Sequence, residues 1–151
     1  MEQLPKYASL KFRPYKGSIN DGITMAQAAY PLMRVEEMYL IQAEAIAHSS
    51  AANGLKMLNT FMQKYRTANY DYPTQGVQKE VAINEIVKQK RIELWGEGQS
   101  FFDYKRLNMS VDRTQGEDAQ YIPANQQLSN AGNGRPAWMN LVFPQRNLMQ
   151  Y

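Results

Sequence analysis

Three carboxylates in one short stretch are the residues best suited to do chemistry. Glu93 and Glu97 stand one helical turn apart, and Asp103 follows shortly after them. A carboxylate pair at such a separation could serve as the general acid and the nucleophile of a glycosidase. Basic residues flank these acids, with Arg91 before them and Arg106 after them. We therefore favour a salt-bridge and capping network that fixes the crossing of two helices, and keep the glycosidase pair as the alternative.

Other catalytic or metal-binding chemistry finds little support in the sequence. His48, the only histidine, stands in an expected turn and has no second ligand at a metal-binding spacing. The chain has no cysteine, which excludes disulfides, thiolate zinc sites and a cysteine nucleophile. The segment Gly96-Glu97-Gly98 lacks the lysine and the hydroxyl residue of a phosphate-binding loop. The sequence therefore predicts no catalytic residue, no metal and no cofactor.

Aromatic residues in the expected loops are the candidates for ligand binding. Tyr70 and Tyr72 occur in an Asn-Tyr-Asp-Tyr segment, and Trp138 follows a Pro-Ala pair. An exposed flat ring can stack on the apolar face of a sugar, so these three are the candidate glycan-binding residues. Docking of the rings onto the helices is the alternative, and the one we favour. The aromatic residues on the helices are expected in the core: Tyr39, Phe61, Tyr65, Trp95, Phe101 and Phe102.

A first helix is predicted directly after Pro31. Helical periodicity is carried by residues that recur at three- and four-residue steps: Val35, Met38, Tyr39, Ile41, Gln42, Ala45 and Ile46. Leu40, Ala43 and Ala47 make this helix apolar on a further side. A helix of this kind should pack on two neighbours.

A second, narrower stripe follows the small residues at 48–54, which break the first pattern. Its apolar members are Leu55, Leu58, Phe61, Met62 and Tyr65. The polar residues opposite them are Lys56, Asn59, Gln63, Lys64 and Arg66. This pattern predicts a helix antiparallel to the first, followed by a loop over 67–76.

A third helix is predicted from Val81, Ile83, Ile86, Val87 and Leu94. It should end near Trp95, because Gly96 and Gly98 stop it. A short fourth helix should cover about 100–107. The helices therefore come as two hairpins, which is typical of a tetratricopeptide-like solenoid.

The predicted fold class is all-α, and the chain is expected to form a single region over 1–151. Within it, 1–30 should be an irregular lead-in in which Tyr7 to Phe12 could form an edge strand. The two tetratricopeptide-like hairpins should occupy 31–107, and 108–151 should be a loop-rich tail over the helices. Two hairpins alone leave apolar faces unpaired, which is typical of a piece of a larger all-α protein.

Charge and hydropathy exclude two classes of partner. The 17 basic and 14 acidic residues give a net charge of +3, and the two signs are interspersed. The densest basic cluster, Lys88, Lys90 and Arg91, is followed by acids and is expected on a solvated helix face. We therefore expect no nucleic-acid partner. No apolar run approaches the roughly 18 residues of a membrane span, and the N-terminus does not read as a signal peptide.

These helical motifs resemble the C-terminal region of the SusD/RagB family. The first helix shares Arg34, Glu37, Tyr39, Leu40, Ala43, Glu44 and Ala45 with the family pattern. The helix corner shares Arg91, Glu93, Leu94, Glu97, Gly98, Phe102, Asp103, Lys105 and Arg106. The resemblance covers 31–107 well, 138–145 loosely and the first 30 residues hardly at all. Lys90 departs from the acid or arginine frequent at its position, and Phe143-Pro144-Gln145-Arg146 departs from the closing Ile-Pro of the family.

The resemblance implies a cell-surface nutrient-binding lipoprotein of the outer membrane of Bacteroidetes-type bacteria. Such a protein holds an oligosaccharide or peptide and works with a SusC-like TonB-dependent transporter. The shared motif residues would be structural positions of a helical scaffold. Family members are longer, carry a lipid anchor that is absent from this chain, and bind ligand largely upstream, so the chain is expected to be a C-terminal fragment. The alternatives are a helical-repeat protein-interaction module without a small ligand and the glycosidase.

Overall fold

A computed structural model of the protein describes residues 32–114, 116 and 119–140. The described residues from Val35 onward belong to one compact unit. The expected strand from Tyr7 to Phe12, the lead-in at 1–30 and the Phe143-Pro144-Gln145-Arg146 segment lie outside the described residues. The division of the chain into lead-in, hairpins and tail stays a prediction.

The described part of the chain is helical. Its α-helices are α1 (Val35–Ser49), α2 (Ala51–Tyr65), α3 (Lys79–Glu93), α4 (Gln99–Arg106) and the short α5 (Ala124–Gln127). Three short 3-10 turns follow α4, at Ala119–Tyr121, Ser129–Gly132 and Ala137–Met139. Within the described ranges β pairing is limited to one isolated antiparallel bridge, between Asp112 and Leu128. The all-α prediction is confirmed, whereas the tetratricopeptide-like detail stays a prediction. We call 35–107 the helical unit and 108–140 the tail.

A single residue connects α1 to α2. Ser50 has extended backbone, and its side chain accepts a hydrogen bond from the Asn53 N–H at 3.4 Å. This serine caps α2 and satisfies one of its free N–H groups. The predicted seven-residue break at 48–54 is therefore wrong in length. Small residues there serve the helix crossing instead, since a Cβ on Gly54 would lie 2.5 Å from the Ala47 Cβ.

The core forms where α1 packs on both α2 and α3, and the prediction of two neighbours for α1 is confirmed. Its buried residues are Leu40, Ala43, Ala47, Leu55, Leu58, Phe61, Ala82, Ile83, Ile86 and Val87. The neighbours lie against the side of α1 that carries the small residues, because alanines allow close approach of two helices. The larger residues point elsewhere, so Val35, Met38 and Ile41 are 65%, 47% and 42% exposed. The prediction that the residues at helical steps in α1 pack on its neighbours is wrong for these three residues.

Glycines make the corner between α3 and α4. Gly96 and Gly98 have φ values of 79° and 82°, the left-handed region that glycine enters at little cost. The fourth helix covers Gln99–Arg106, close to its predicted bounds. The prediction that the aromatic residues around this corner lie in the core is wrong, because Trp95, Phe101 and Phe102 are exposed. Leu94 takes the buried position instead.

The aromatic residues of α1 and α2 pack against one another. The Tyr39 ring lies 5.7 Å from Phe61 and 6.0 Å from Tyr65, centroid to centroid. Phe61 is buried and Tyr39 is half-buried, whereas Tyr65 remains 44% exposed and was wrongly expected in the core. The pairs join the start of α1 to the end of α2, which confirms that the two helices are antiparallel.

One polar residue expected on the solvent face of α2 is buried. The Asn59 carboxamide donates to the Tyr72 carbonyl at 2.9 Å and accepts from the Tyr72 N–H at 3.1 Å. It thereby fixes the loop between α2 and α3, which extends over 66–78 and contains the predicted 67–76 segment. The periodicity cannot reveal this role, because a buried asparagine that serves a distant backbone looks like a surface residue in the sequence.

Candidate functional site

Glu93 and Asp103 at the helix corner and Glu44 of α1 pair with basic side chains. The Arg106 guanidinium donates to both carboxylate oxygens of Glu44, at 2.5 and 2.6 Å, and so joins α4 to α1. The same guanidinium donates to Asp103 Oδ1 at 2.7 Å. Hydrogen bonds to Glu44 and then to Asp103 raise the pKa of Arg106 above its usual value. This bidentate pairing fixes the position of α4 relative to α1.

A buried lysine completes this group of charges. Lys90 is 5% exposed, and its Nζ lies 3.1 Å from Asp103 Oδ1 and 3.9 Å from Glu37 Oε1. The prediction that Lys90 belongs to a solvated basic cluster is wrong, because its ammonium lies between acids of α4 and α1. Asp103 is 2% exposed, and its Oδ2 has no hydrogen-bond partner among the described residues. We call Glu37, Glu44, Lys90, Asp103 and Arg106 the charge network.

Glu93, one member of the proposed glycosidase pair, is held by an arginine. Both oxygens of Glu93 accept hydrogen bonds from Arg66, at 2.5 and 2.8 Å, and Arg66 also reaches Glu36 at 3.2 Å. These bonds raise the pKa of Arg66, with the Glu93 bond as the largest cause. The bidentate pairing fixes the Glu93 carboxylate as an ion-pair partner. Arg66, at the end of α2, was missed as a partner because nothing in the local sequence connects it to Glu93.

The remaining motif residues have different environments. The Arg91 guanidinium lies over the Tyr104 ring at 5.0 Å, a cation–π contact between α3 and α4. Arg34 precedes α1, and Glu97 lies in the turn between Gly96 and Gly98, where its N–H donates to the Leu94 carbonyl. His48 is exposed and lies 3.8 Å from Glu44. Among the described residues, no three His, Asp or Glu side chains come together as a metal site.

The two candidate tyrosines pack on the helical core. The Tyr70 hydroxyl donates to Glu85 Oε1 at 2.9 Å, and burial together with this bond raises the pKa of Tyr70. Tyr72 is half-buried, and its backbone is held by Asn59. Both rings lie against the buried residues of α1, α2 and α3. Their geometry therefore favours the docked interpretation over a free stacking surface.

Trp138 has the opposite environment. It belongs to the short turn Ala137–Met139 and is 67% exposed. Its neighbours Pro136 and Met139 are buried, so they anchor the turn on either side of the indole. The ring lines an open cleft of about 480 Å³, together with Val111, Arg113, Asn125, Gln126, Ser129, Asn130, Pro136 and Ala137. Such a volume is in the range of small-ligand sites. Neither Tyr70 nor Tyr72 lines it.

Hydrogen bonds between tail segments build the walls of this cleft. The Ser129 N–H donates to the Val111 carbonyl at 2.9 Å, and the Val111 N–H donates to the Ser129 hydroxyl at 2.7 Å. The Arg113 N–H donates to the Gln127 carbonyl at 2.7 Å. The Gln127 carboxamide in turn holds the preceding turn through the carbonyls of Ala119 and Ile122, each at 3.0 Å. The cleft thus has a fixed frame although little apolar surface supports it.

The tail is also tied to the helical unit. The Arg135 guanidinium donates to the Lys105 carbonyl at 3.0 Å, at the end of α4. Ser110 exchanges hydrogen bonds with the backbone of Gly134, at 2.8 and 2.9 Å. These bonds hold the segment that precedes Trp138 against the residues that follow α4. The position of the indole is therefore coupled to the helical scaffold.

The comparisons with known proteins identify the family. The family model described as the SusD family matches residues 4–143. This match includes residues of the lead-in, where the sequence motifs showed hardly any resemblance, and so corrects the extent expected from them. No curated protein and no solved structure matches the chain. No helix in the described ranges is long and apolar enough to cross a bilayer. The chain belongs to the SusD family, whose members are nutrient-binding proteins of the outer membrane.

Proposed function

We propose that this chain is part of a cell-surface protein that binds a nutrient, foremost a glycan, and delivers it to a SusC-like TonB-dependent transporter. In this proposal the helical unit is mainly a scaffold, and an oligosaccharide or peptide is held without chemical conversion. In this proposal the protein is attached to the membrane through a lipid anchor. The ligand contact proposed for this region is Trp138 rather than Tyr70 or Tyr72, because its ring is the exposed one.

The observation that carries the scaffold role is the charge network. The residues that define the family motif, among them Glu44, Asp103 and Arg106, pair with one another across α1 and α4. Asp103 and Glu44 are 2% and 4% exposed, so a dissolved ligand has little access to them. Removing one partner of a buried pair is destabilising, so a structural role accounts for these residues without a ligand.

Uptake by intact cells tests the nutrient-binding role. Cells that carry the gene and cells from which it is deleted are given fluorescently labelled oligosaccharides and peptides from a common panel. We expect the deletion to lower surface capture of at least one ligand, and the labelled ligand to be recovered unchanged. Equal capture by the two strains would contradict the proposal. Recovery of cleaved ligand that depends on Glu93 would instead support the glycosidase.

Purification from the outer membrane tests the transporter partnership. The intact protein carries an affinity tag and is isolated in mild detergent, and mass spectrometry identifies what elutes with it. We expect a TonB-dependent transporter in near-stoichiometric amount. A protein that elutes alone under conditions that preserve other outer-membrane complexes would contradict this part of the proposal.

One observation favours a protein-interaction module as the second candidate. Val35, Met38 and Ile41 form an exposed apolar row along α1, and single exposed apolar residues do not usually line up in this way. A module of this kind would bind a protein and no small ligand. The cell experiment separates the two candidates, because only the nutrient-binding protein changes the capture of an oligosaccharide or a peptide.

A further inference from the structure

The cleft around Trp138 combines one aromatic face, several carboxamides and one cation. We propose that it is a subsite for an acidic oligosaccharide, in which a sugar ring stacks on the Trp138 indole and a uronate carboxylate pairs with Arg113. The inference rests on the proposed function and adds to it the chemical class of the ligand and the place where it binds.

The indole is held in an exposed position by its neighbours. Pro136 and Met139 are buried on either side of it, and the Met139 N–H closes the turn on the Pro136 carbonyl at 3.1 Å. With both anchors in place, the 67% exposed ring of Trp138 cannot turn into the core without breaking the turn. A flat ring with a negative π face attracts the C–H groups of a sugar ring, so this exposure suits stacking.

Carboxamides supply the hydrogen bonds that a sugar needs. Asn125 and Gln126 line the cleft, and within the described part of the chain their side chains make no hydrogen bond to the protein. Each carboxamide both donates and accepts, which matches the hydroxyl groups of a sugar. Asn130 also lines the cleft, but its side chain is engaged with the Asn133 carbonyl at 3.0 Å. Asn125 and Gln126 are therefore the polar contacts of the proposal.

The charge of the cleft selects an acidic ligand. Of the described residues that line it, Arg113 alone is ionisable. The neighbouring acid, Asp112, directs its Oδ1 to the Thr114 N–H and hydroxyl, at 2.8 and 2.7 Å, and does not line this cleft. A guanidinium that pairs with a carboxylate makes two parallel charge-assisted hydrogen bonds. A neutral sugar cannot make these bonds.

A second cleft extends the same surface. It has a volume of about 320 Å³ and shares Val111 and Arg113 with the first. Its lining also includes Arg91, the 42% exposed ring of Phe101 and the acid Asp112. A chain of sugar units that stacks on Trp138 can thus continue past Arg113 towards a second cation and a second aromatic ring. The two arginines outnumber Asp112, whose Oδ1 is engaged with Thr114, so this surface suits an oligosaccharide with acidic units at Arg113 and Arg91.

Calorimetric titration of the full chain tests the inference. The probes are trimers of galacturonic, glucuronic and mannuronic acid, each paired with the neutral sugar trimer of the same linkage. We expect at least one acid trimer to bind saturably, and about tenfold or more tightly than its neutral counterpart, because the charged pair is absent from the latter. Trp138→Ala should abolish binding, and Arg113→Gln should remove the preference for the acid trimer.

Matched variants control for loss of a tryptophan and for loss of a charge. Trp95→Ala removes the other tryptophan, which is exposed and lies outside the cleft, and Lys79→Gln removes one positive charge from an exposed position at the start of α3. Neither should change the affinity for the acid trimer by more than about twofold. A thermal melt of every variant confirms that it is folded.

The outcomes separate this inference from the proposed function. Binding of a neutral trimer with no preference for acid, or acid binding that survives Arg113→Gln or Trp138→Ala, overturns the inference and leaves the nutrient-binding proposal standing. A folded chain that binds none of the six trimers also overturns it. In that case the capture of ligands by intact cells still decides the proposed function independently.

Discussion

The helical unit and the tail of this chain are held together by different forces. Among the described residues, the buried apolar side chains lie in the helical unit with two exceptions, Pro136 and Met139. The buried charges Glu44, Glu85, Lys90 and Asp103 lie there too. The tail has short turns instead, fixed by hydrogen bonds such as those between Val111 and Ser129. The difference teaches that a surface cleft can be built without a core of its own, provided that a rigid neighbour holds it.

The largest loss of stability is expected from a substitution that breaks the charge network of the helical unit. Asp103→Ala leaves the buried Lys90 ammonium without its nearest partner and removes one acceptor of Arg106. Removing one partner of a buried pair costs about 3–5 kcal/mol. Chemical denaturation monitored by circular dichroism should therefore show a free energy of unfolding lower by about that amount.

The same change on the tail side is the matched control. Asp112→Ala removes an exposed acid whose partners are the N–H and hydroxyl of Thr114. We expect the unfolding midpoint to stay close to that of the unaltered chain. If Asp103→Ala were as mild as Asp112→Ala, the charge network would not be what joins α1, α3 and α4.

A smaller loss should follow from widening the crossing of α1 and α2. In Gly54→Ala the new Cβ would lie 2.5 Å from the Ala47 Cβ and 2.8 Å from the Ala43 carbonyl oxygen. Overpacking of this kind costs about 1–3 kcal/mol, even though alanine has the higher helix propensity. The control is Asn53→Ala at the exposed position next to it, which should change the stability by no more than about 0.5 kcal/mol. A Gly54→Ala chain as stable as the control would show that the helices separate easily.

Alkaline pH should weaken the contact of the loop with the helices. The pKa of Tyr70 is raised above its usual value of 10.0 by burial and by the bond to Glu85. The unfolded chain therefore loses this proton first, and the contribution of Tyr70 is complete below about pH 10 and lost as the pH rises further. The free energy of unfolding of Tyr70→Phe, measured below and above about pH 10, should depend less on pH than that of the unaltered chain. Parallel pH profiles would argue against a docked Tyr70.

The smallest expected effect on stability is in the cleft. Trp138→Ala removes a large side chain that is 67% exposed, so the free energy of unfolding should change by no more than about 0.5 kcal/mol. Its neighbour Met139 is 3% exposed, and Met139→Ala should cost about 2–5 kcal/mol. Thermal melts of the two variants compare the loss of stability at these two positions of the tail. A Trp138→Ala chain as unstable as Met139→Ala would mean that the indole supports the fold rather than the cleft.

The helices could be predicted from the sequence because local periodicity encodes them. Leu55, Leu58 and Phe61 are buried as their spacing predicts, and the end of α3 lies where Gly96 and Gly98 follow it. The prediction from periodicity was wrong where packing left the larger apolar residues of a helix exposed. Val35 and Ile41 are exposed because the alanine side of α1 allows the closer approach.

The partners of charged residues could not be predicted in the same way. Lys90 looks like a surface lysine in the sequence, and only the fold brings Asp103 to within 3.1 Å of it. Arg66 meets Glu93 across 27 positions of sequence, a pairing that no local pattern reveals. For the cleft, the sequence proposed Trp138 from its loop position, but not Arg113, Asn125 or Gln126. These residues line one cleft only because the turns of the tail bring them together.

The central claim is that the helical unit gives rigidity and the tail gives recognition. The most direct test is a titration of the unaltered chain with acidic and neutral oligosaccharides, with a thermal melt of the same sample. The account predicts a cooperative melt together with saturable heat from an acidic oligosaccharide. A cooperative melt without heat from any of the sugars would contradict it, because a folded tail would then have nothing to recognise.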